Sequence, residues 1–219
     1  MGSAPEPPAD AGEVAHGVVF TTVFPHSGQP NIGLFIKERM FRVARHEPLV
    51  FVVPVPWFPF QGLLRRFRPG FRPPAPRSEV IEGHRVRYPR YLSVPMVLKG
   101  LDGLFMALCC LPLLARLKRR QRLYLIDAHF GYPDGYAAML LGRWLKLPVT
   151  VTLRGNETTL AESPGTRRRL ETLVARAARV ISVSESLRRL AMELGADPEK
   201  CVTVPNGVDT DKFYPVDRD

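Results

Sequence analysis

Cysteine is scarce: the chain has three in 219 residues, Cys109, Cys110 and Cys201. Two are adjacent in an apolar stretch and the third stands far from them. That is neither a disulfide framework nor a metal-ligand spacing, so a reducing compartment is the default. The first ten residues are Pro/Ala-rich and acidic and lack the apolar core of a signal peptide. Met1-Gly-Ser-Ala-Pro-Glu6 starts like a myristoylation site, but Glu6 stands where Ser or Thr is needed. Long apolar runs are missing too. The most apolar stretch, residues 101–117, carries Asp102, Pro112 and Arg116 and falls short of the ~20 clean residues that span a bilayer. It predicts a buried or partly exposed helix, with a membrane-surface helix as the alternative. No G-x-G-x-x-G follows the first strand-like run and no acidic residue closes the second, which argues against a nicotinamide-dependent oxidoreductase. No nucleic-acid-binding motif accompanies the arginines, and no internal repeat is present.

What the chain does have is basic charge. Lys and Arg number 31 against 21 Asp and Glu, a formal net charge of +10. Such a balance favours phosphorylated ligands, anionic membrane surfaces or nucleic acid, although a soluble surface rich in arginine accounts for it equally well. A chain of this length makes one sizeable core, or one domain with extensions.

Short β-branched and apolar runs alternate with helical spacing. Gly17-Val-Val-Phe-Thr-Thr-Val-Phe24 reads as a buried strand. Ile36, Met40, Val43 and Ala44 then recur at helical spacing, with Lys37, Arg39 and Arg42 between them. Residues 49–53 form a second buried strand. Prolines through residues 54–78 exclude a long regular element. Residues 79–90 fit a hairpin turning near Glu82-Gly83. Further strands are expected at residues 123–129, 148–153, 180–183 and 202–204. Between them lie a helix with Ala137, Leu140, Leu141 and Trp144 on one face, and another with Leu170, Leu173, Val174, Ala177 and Ala178. Ser184 caps a last helix that Gly195 ends. This alternation predicts an α/β fold: a Rossmann-like parallel sheet with helices on both faces. Ligands in such sheets sit at the carboxyl ends of the strands.

Three strand-end turns carry candidate chemistry. In Gln29-Pro-Asn-Ile-Gly33, a glycine before a helix lets the backbone approach a phosphate, while Asn31 serves equally as a plain helix cap. In Asp127-Ala-His129-Phe-Gly131, His129 can offer a hydrogen bond or a positive charge to a bound anion or a sugar hydroxyl; a satisfied structural histidine is the alternative. In Arg154-Gly-Asn-Glu157, Arg154 offers a fork for phosphate or carboxylate, unless Glu157 pairs with it.

Two further motifs bear on family. Val180-Ile-Ser-Val-Ser-Glu-Ser-Leu-Arg-Arg189 and Val204-Pro-Asn-Gly-Val-Asp-Thr-Asp-Lys-Phe213, with the rest of residues 17–216, resemble the N-terminal domain of a family 4 GT-B glycosyltransferase. Phe24-Pro-His-Ser-Gly-Gln-Pro-Asn-Ile-Gly-Leu-Phe-Ile36 is similar to the subgroup that builds surface polysaccharides.

That resemblance implies a retaining, metal-independent transferase with no cofactor, whose donor substrate is a nucleotide-sugar. It implies that Gly33 lies near the donor diphosphate, that His129 is the catalytic strand-end histidine near the transferred sugar, and that Asn206 borders the interdomain cleft. The loop that often reads His-Gly-x-Asp in the family is Arg154-Gly-Asn156-Glu157 here, a departure at both ends; Arg154, Asn156 and Glu157 remain polar candidates for substrate contact. Glu185 and Glu193 have the spacing of the family's paired glutamates but follow the penultimate strand of the first domain, so they are read as surface carboxylates. The expected organisation is a disordered lead over residues 1–15, an acceptor-side domain over 16–209, and the start of a linker over 210–219. A C-terminal donor-binding domain or partner chain is then missing, and the isolated chain is expected to transfer sugar poorly. The basic balance, the Trp57–Phe60 cluster and the apolar 101–117 stretch point to a glycan or lipid-linked acceptor near a membrane; the expected location is cytoplasmic, peripheral at the inner membrane face, with no nucleic-acid partner. The rival reading is a non-catalytic binding module.

Overall fold

The computed structural model describes residues 14–68, 70–94, 98–210 and 213. The expected lead over residues 1–15 and linker over 210–219 therefore fall almost wholly outside the described residues.

Ten strands and seven α-helices are present among the described residues. The chain opens with β1 (His16–Phe20), α1 (Leu34–Val43), β2 (Leu49–Val52), β3 (Val55–Trp57) and α2 (Gln61–Phe67). It continues through β4 (Ser78–Ile81), β5 (His84–Arg87), β6 (Arg90–Leu92), α3 (Asp102–Arg120) and β7 (Leu123–His129). Then come α4 (Tyr136–Leu145), β8 (Val149–Leu153), α5 (Glu157–Glu162), α6 (Pro164–Arg176), β9 (Arg179–Ser182), α7 (Glu185–Glu193) and β10 (Cys201–Thr203).

Eight strands form one sheet in the order β10-β9-β8-β7-β1-β2-β5-β4. Every pairing is parallel except β4 with β5. That hairpin turns on Glu82 and Gly83, at φ 48 and φ 85, the two positive values a tight two-residue hairpin turn requires. A separate parallel pair, β3 with β6, continues beyond β2 and β5. The expected Rossmann-like parallel sheet is present.

Alternation along β1 divides the core. Val18 and Phe20 pack with Met106, Cys110 and Leu114 of α3 and with Ala137 and Leu141 of α4. Val19 points the other way, into Phe24, Ile36, Met40, Phe41 and Phe51 beneath α1. A third cluster joins Val151 and Leu153 to Leu170 and Leu173 of α6 and Leu187 of α7. The apolar 101–117 stretch is thus a partly buried core helix, with Met106, Cys110 and Leu114 turned inward and Leu108 exposed. By length and composition alone, the segment Lys99–Arg120 could cross a membrane, but its buried face is spent on the sheet.

Several predicted faces hold only in part. α4 buries Ala137, Ala138, Met139 and Leu141, while Trp144 is exposed. α1 buries Phe41 in place of Val43. Ala178 lies past the end of α6 and is exposed. α4 packs on α3, α6 and the sheet, so a single stripe drawn from spacing does not describe it, whereas Ala178 misses because α6 stops at Arg176. Ser184 does cap α7, accepting from the Leu187 N–H, and Gly195 follows at φ 96.

The sheet has one switch in strand order. From β1 the chain first builds outward through β2, and later returns through β7 on the other side. Ligand crevices in open α/β sheets open at the carboxyl ends of the strands flanking such a switch. Here those ends are Thr21-Thr22 after β1 and His129-Phe130 after β7.

Candidate functional site

The switch-point loops are tied together by Asp134, which lies in the turn between β7 and α4 and is 1% exposed. Its carboxylate accepts from the Thr22 N–H at 2.8 Å and from the Thr22 hydroxyl at 3.0 Å. The Thr21 hydroxyl adds a long contact at 3.4 Å. Burial outweighs these bonds and pushes the carboxyl up to about 7.

Beside this bridge lies a cluster of charged groups. His129 ends β7 and is 1% exposed. Its Nδ1 lies 3.0 Å from Nη2 of Arg154, which follows β8. An arginine can only donate, so Nδ1 must be the accepting nitrogen and the ring proton must sit on Nε2. Burial first, and then the positive charges of Arg154 and Arg39, hold the imidazole well below its usual range. The 3.6 Å approach of His129 Nε2 to Asp127 Oδ2 is therefore no ion pair, since the ring is neutral. Asp127 is pushed upward by burial, against the pull of the Thr150 hydroxyl, which donates to Oδ1 at 2.7 Å, and of Arg39 and Arg154. Arg154 is lowered to about 10 by burial, then by Arg39.

Arg154 spans the cluster. Its Nη1 donates to Asn206 Oδ1 at 3.1 Å, and its guanidinium lies 5.2 Å from the centre of the Phe35 ring of α1. Asn206 belongs to the segment leaving β10. Three residues on, Asp209 pairs with Arg42 of α1 at 2.7 Å. The exit segment thus runs back across the strand ends toward α1.

Glu157 does not lie in the open site. It is fully buried and its carboxylate faces the backbone beneath the loop: Gly131 N–H at 2.8 Å on one oxygen, Arg154 N–H at 3.0 Å and Gly155 N–H at 2.8 Å on the other. Polar contact with substrate, expected from sequence, is thereby replaced by a positioning role. The carboxylate fixes the β8 turn against the β7 turn, because three converging N–H donors satisfy a buried carboxylate.

The remaining candidates are not brought into contact with His129. Asn31 is exposed, makes no side-chain hydrogen bond and does not cap α1. The cap position is Gly33, at φ 66, where an added Cβ would come 2.3 Å from the Val23 carbonyl oxygen. Glycine is therefore demanded by the chain's own close approach at this point. Asn156 is exposed at the start of α5, with no side-chain cap bond. Glu185 is bound by Arg188 and the Thr203 hydroxyl, and Glu193 is exposed, in line with their reading as surface carboxylates.

Sequence reasoning passed over Arg39 and Asp134. Arg39 sits among the polar positions of an amphipathic helix, and Asp134 acquires its partners from the loop after β1, more than a hundred residues earlier. The order of strands in the sheet brings both toward the cluster, and that order is absent from local spacing. Among the described residues no group of three His, Cys, Asp or Glu side chains stands at metal-binding proximity. Two surface clefts, one at the start of β8 near Arg143 and Lys146 and one at β5 near Arg85 and Arg87, lie away from this cluster. We place the site at the switch point on chemical grounds.

Comparison with known proteins agrees with this architecture. A protein of Bacillus subtilis strain 168, named as a teichuronic acid biosynthesis glycosyltransferase, TuaC, is 26% identical over 200 residues, covering 88% of this chain and 50% of that protein. The UDP-N-acetylglucosamine 2-epimerase of Rickettsia bellii superposes with a TM-score of 0.53 at 11% identity, over 89% of this chain and 45% of that one. Anabaena Alr3699/HepE, solved in complex with UDP, gives 0.51 at 14% identity, over 90% and 45%. At such identities the likeness is one of fold, and it places this sheet in the GT-B class. The chain spans about half the length of these relatives. The family model for Glycosyltransferase Family 4 matches residues 66–212, two-thirds of the sequence, and the chain belongs to that family.

Proposed function

We propose that residues 16–209 form the acceptor-side domain of a glycosyltransferase that moves a sugar from a nucleotide-sugar to a glycan or lipid-linked acceptor. The observation that carries this reading is the His129–Arg154–Asn206 cluster at the switch point of a sheet whose family is glycosyl transfer. A neutral, buried imidazole with its proton on Nε2 is suited to donate a hydrogen bond to a sugar hydroxyl and unsuited to act as a general base through Nδ1, which Arg154 occupies. Asn31, Gly33 and Asn156 line the approach to the crevice on this reading, and residues after 209 lead toward a donor-binding domain or partner chain.

The relative named for teichuronic acid biosynthesis supports an acceptor belonging to a surface polysaccharide. The protein solved with UDP supports a uridine nucleotide on the donor. Transfer with retention, and without a metal or cofactor, belongs to the same reading. The groups that would stabilise the departing diphosphate lie outside this domain, so residues 1–219 alone are expected to turn over poorly. Robust transfer by purified residues 1–219 would sink that part of the proposal.

A membrane-proximal acceptor rests on α2. Phe60, Leu63 and Phe67 are 84%, 59% and 76% exposed on one helical stripe. Arg66 and Arg68 are exposed beside them. Apolar side chains flanked by arginines suit the interface of an anionic bilayer, at the inner face of the membrane on this reading. Sedimentation with anionic and neutral liposomes tests it, and binding to neither counts against it.

A further inference from the structure

Three buried nitrogens in the switch-point cluster lack a hydrogen-bond partner: Arg39 Nη1, His129 Nε2 and Arg154 Nε. All three are donors, because arginine cannot accept and the ring proton of His129 is on Nε2. Buried donors without acceptors are uncommon in folded proteins and each carries a desolvation cost. Phe35, one turn before Arg39 on α1, lies 5.2 Å from the Arg154 guanidinium, which sets Arg39 beside the cluster, and Arg39 acts electrostatically on Asp127, His129 and Arg154.

The carboxylates at hand do not supply the missing acceptor. Both oxygens of Glu157 are taken by backbone N–H groups. Asp127 gives Oδ1 to the Thr150 hydroxyl, and its Oδ2 stays 3.6 Å from His129 Nε2. The outer edge of Arg154 meets the Asn206 carboxamide oxygen. That oxygen is neutral and single, where a guanidinium fork fits a charged, bidentate partner. Asn206 is exposed, on the segment that leaves the sheet, so its oxygen can be exchanged for a ligand's.

We propose that Arg39, His129 and Arg154 form a subsite for an anionic group of the substrate, a phosphate or a carboxylate, and that the Asn206 carboxamide holds the place of one of its oxygens. The inference rests on the reading of this crevice as substrate-binding, and it specifies the substrate as acidic at this point.

Calorimetric titration of the 219-residue protein with inorganic phosphate, glucuronate and glucose tests it. At least one anion binds saturably and glucose does not; which anion binds separates phosphate from carboxylate. Arg39→Gln and Arg154→Gln each weaken the binding by about tenfold, the loss of one charge-assisted contact. Asn206→Asp, at an exposed position where folding is not at stake, seats a carboxylate on the Arg154 fork and competes to a similar extent. The proposal is overturned if neither anion binds, if glucose binds as well as glucuronate, or if the three variants leave anion affinity unchanged. Transfer to an uncharged acceptor by a chain that binds no anion would remove the subsite and leave the transferase reading standing.

Discussion

Single residues at the switch point set opposite pH dependences. His129 is held neutral in the folded state, so the unfolded chain takes up the proton that the native state refuses. Stability on its account is present above pH 6.5 and is lost as pH falls below it. Asp134 works the other way. Its carboxyl is raised from 3.8 to about 7, so its contribution is fully present below 3.8 and is lost as pH rises through about 7. Urea denaturation across this range should show His129→Gln losing the acid-side decline, and Asp134→Asn losing the decline toward neutrality; parallel curves for variants and parent would refute both assignments. Glu157 gives a sharper case. Glu157→Gln leaves at least one buried N–H without an acceptor and should cost about 2 kcal/mol, with Glu157→Ala costing more. Gly33→Ala forces a side chain onto the Val23 carbonyl at a positive φ, and a loss of about 2 kcal/mol or more is expected in the same assay.

At the level of elements, strands were the most legible part of the sequence. Residues 123–129 match β7 end to end, because Leu123, Ile126 and Ala128 bury their side chains in this central strand, while Tyr124 stays exposed. The Glu82-Gly83 turn was legible for a different reason: few residues other than glycine take the second positive φ. Helix faces were less so. Spacing gives one stripe per helix, whereas α4 touches α3, the sheet and α6 together. The same limit hid the cluster at the site, where α1, carrying Arg39, comes near the ends of β7 and β8 only through the strand order. His129 and Arg154 were legible because they terminate strands; for Glu157 the alternative pairing with Arg154 was legible, but local sequence cannot reveal that it is made through the backbone, with the Gly131 and Gly155 N–H groups converging on the same carboxylate. α2 offers a test that belongs to an element. Phe60→Ser with Phe67→Ser should weaken anionic-liposome binding by about tenfold or more, given the apolar area of two phenylalanines. Both side chains are largely exposed, so thermal stability should hardly move.

For the whole molecule, the charged cluster lies at the carboxyl edge of the sheet, and the chain spans about half the length of its relatives. The proposed metal-independence predicts that transfer by a chain carrying this domain together with its donor-binding domain survives chelation by EDTA; loss of activity that added divalent metal restores would overturn it. The exit segment joins these scales. It is held at Asn206 by Arg154 and at Asp209 by Arg42, so one guanidinium serves both the site and the way out of the domain. Linkage makes that sharing reciprocal. A ligand that claims Arg154 loosens the segment, and any motion that draws the segment away raises the affinity of the site. Hydrogen exchange at residues 204–210 should therefore quicken when the crevice fills, making the backbone beyond the last strand a gauge of occupancy.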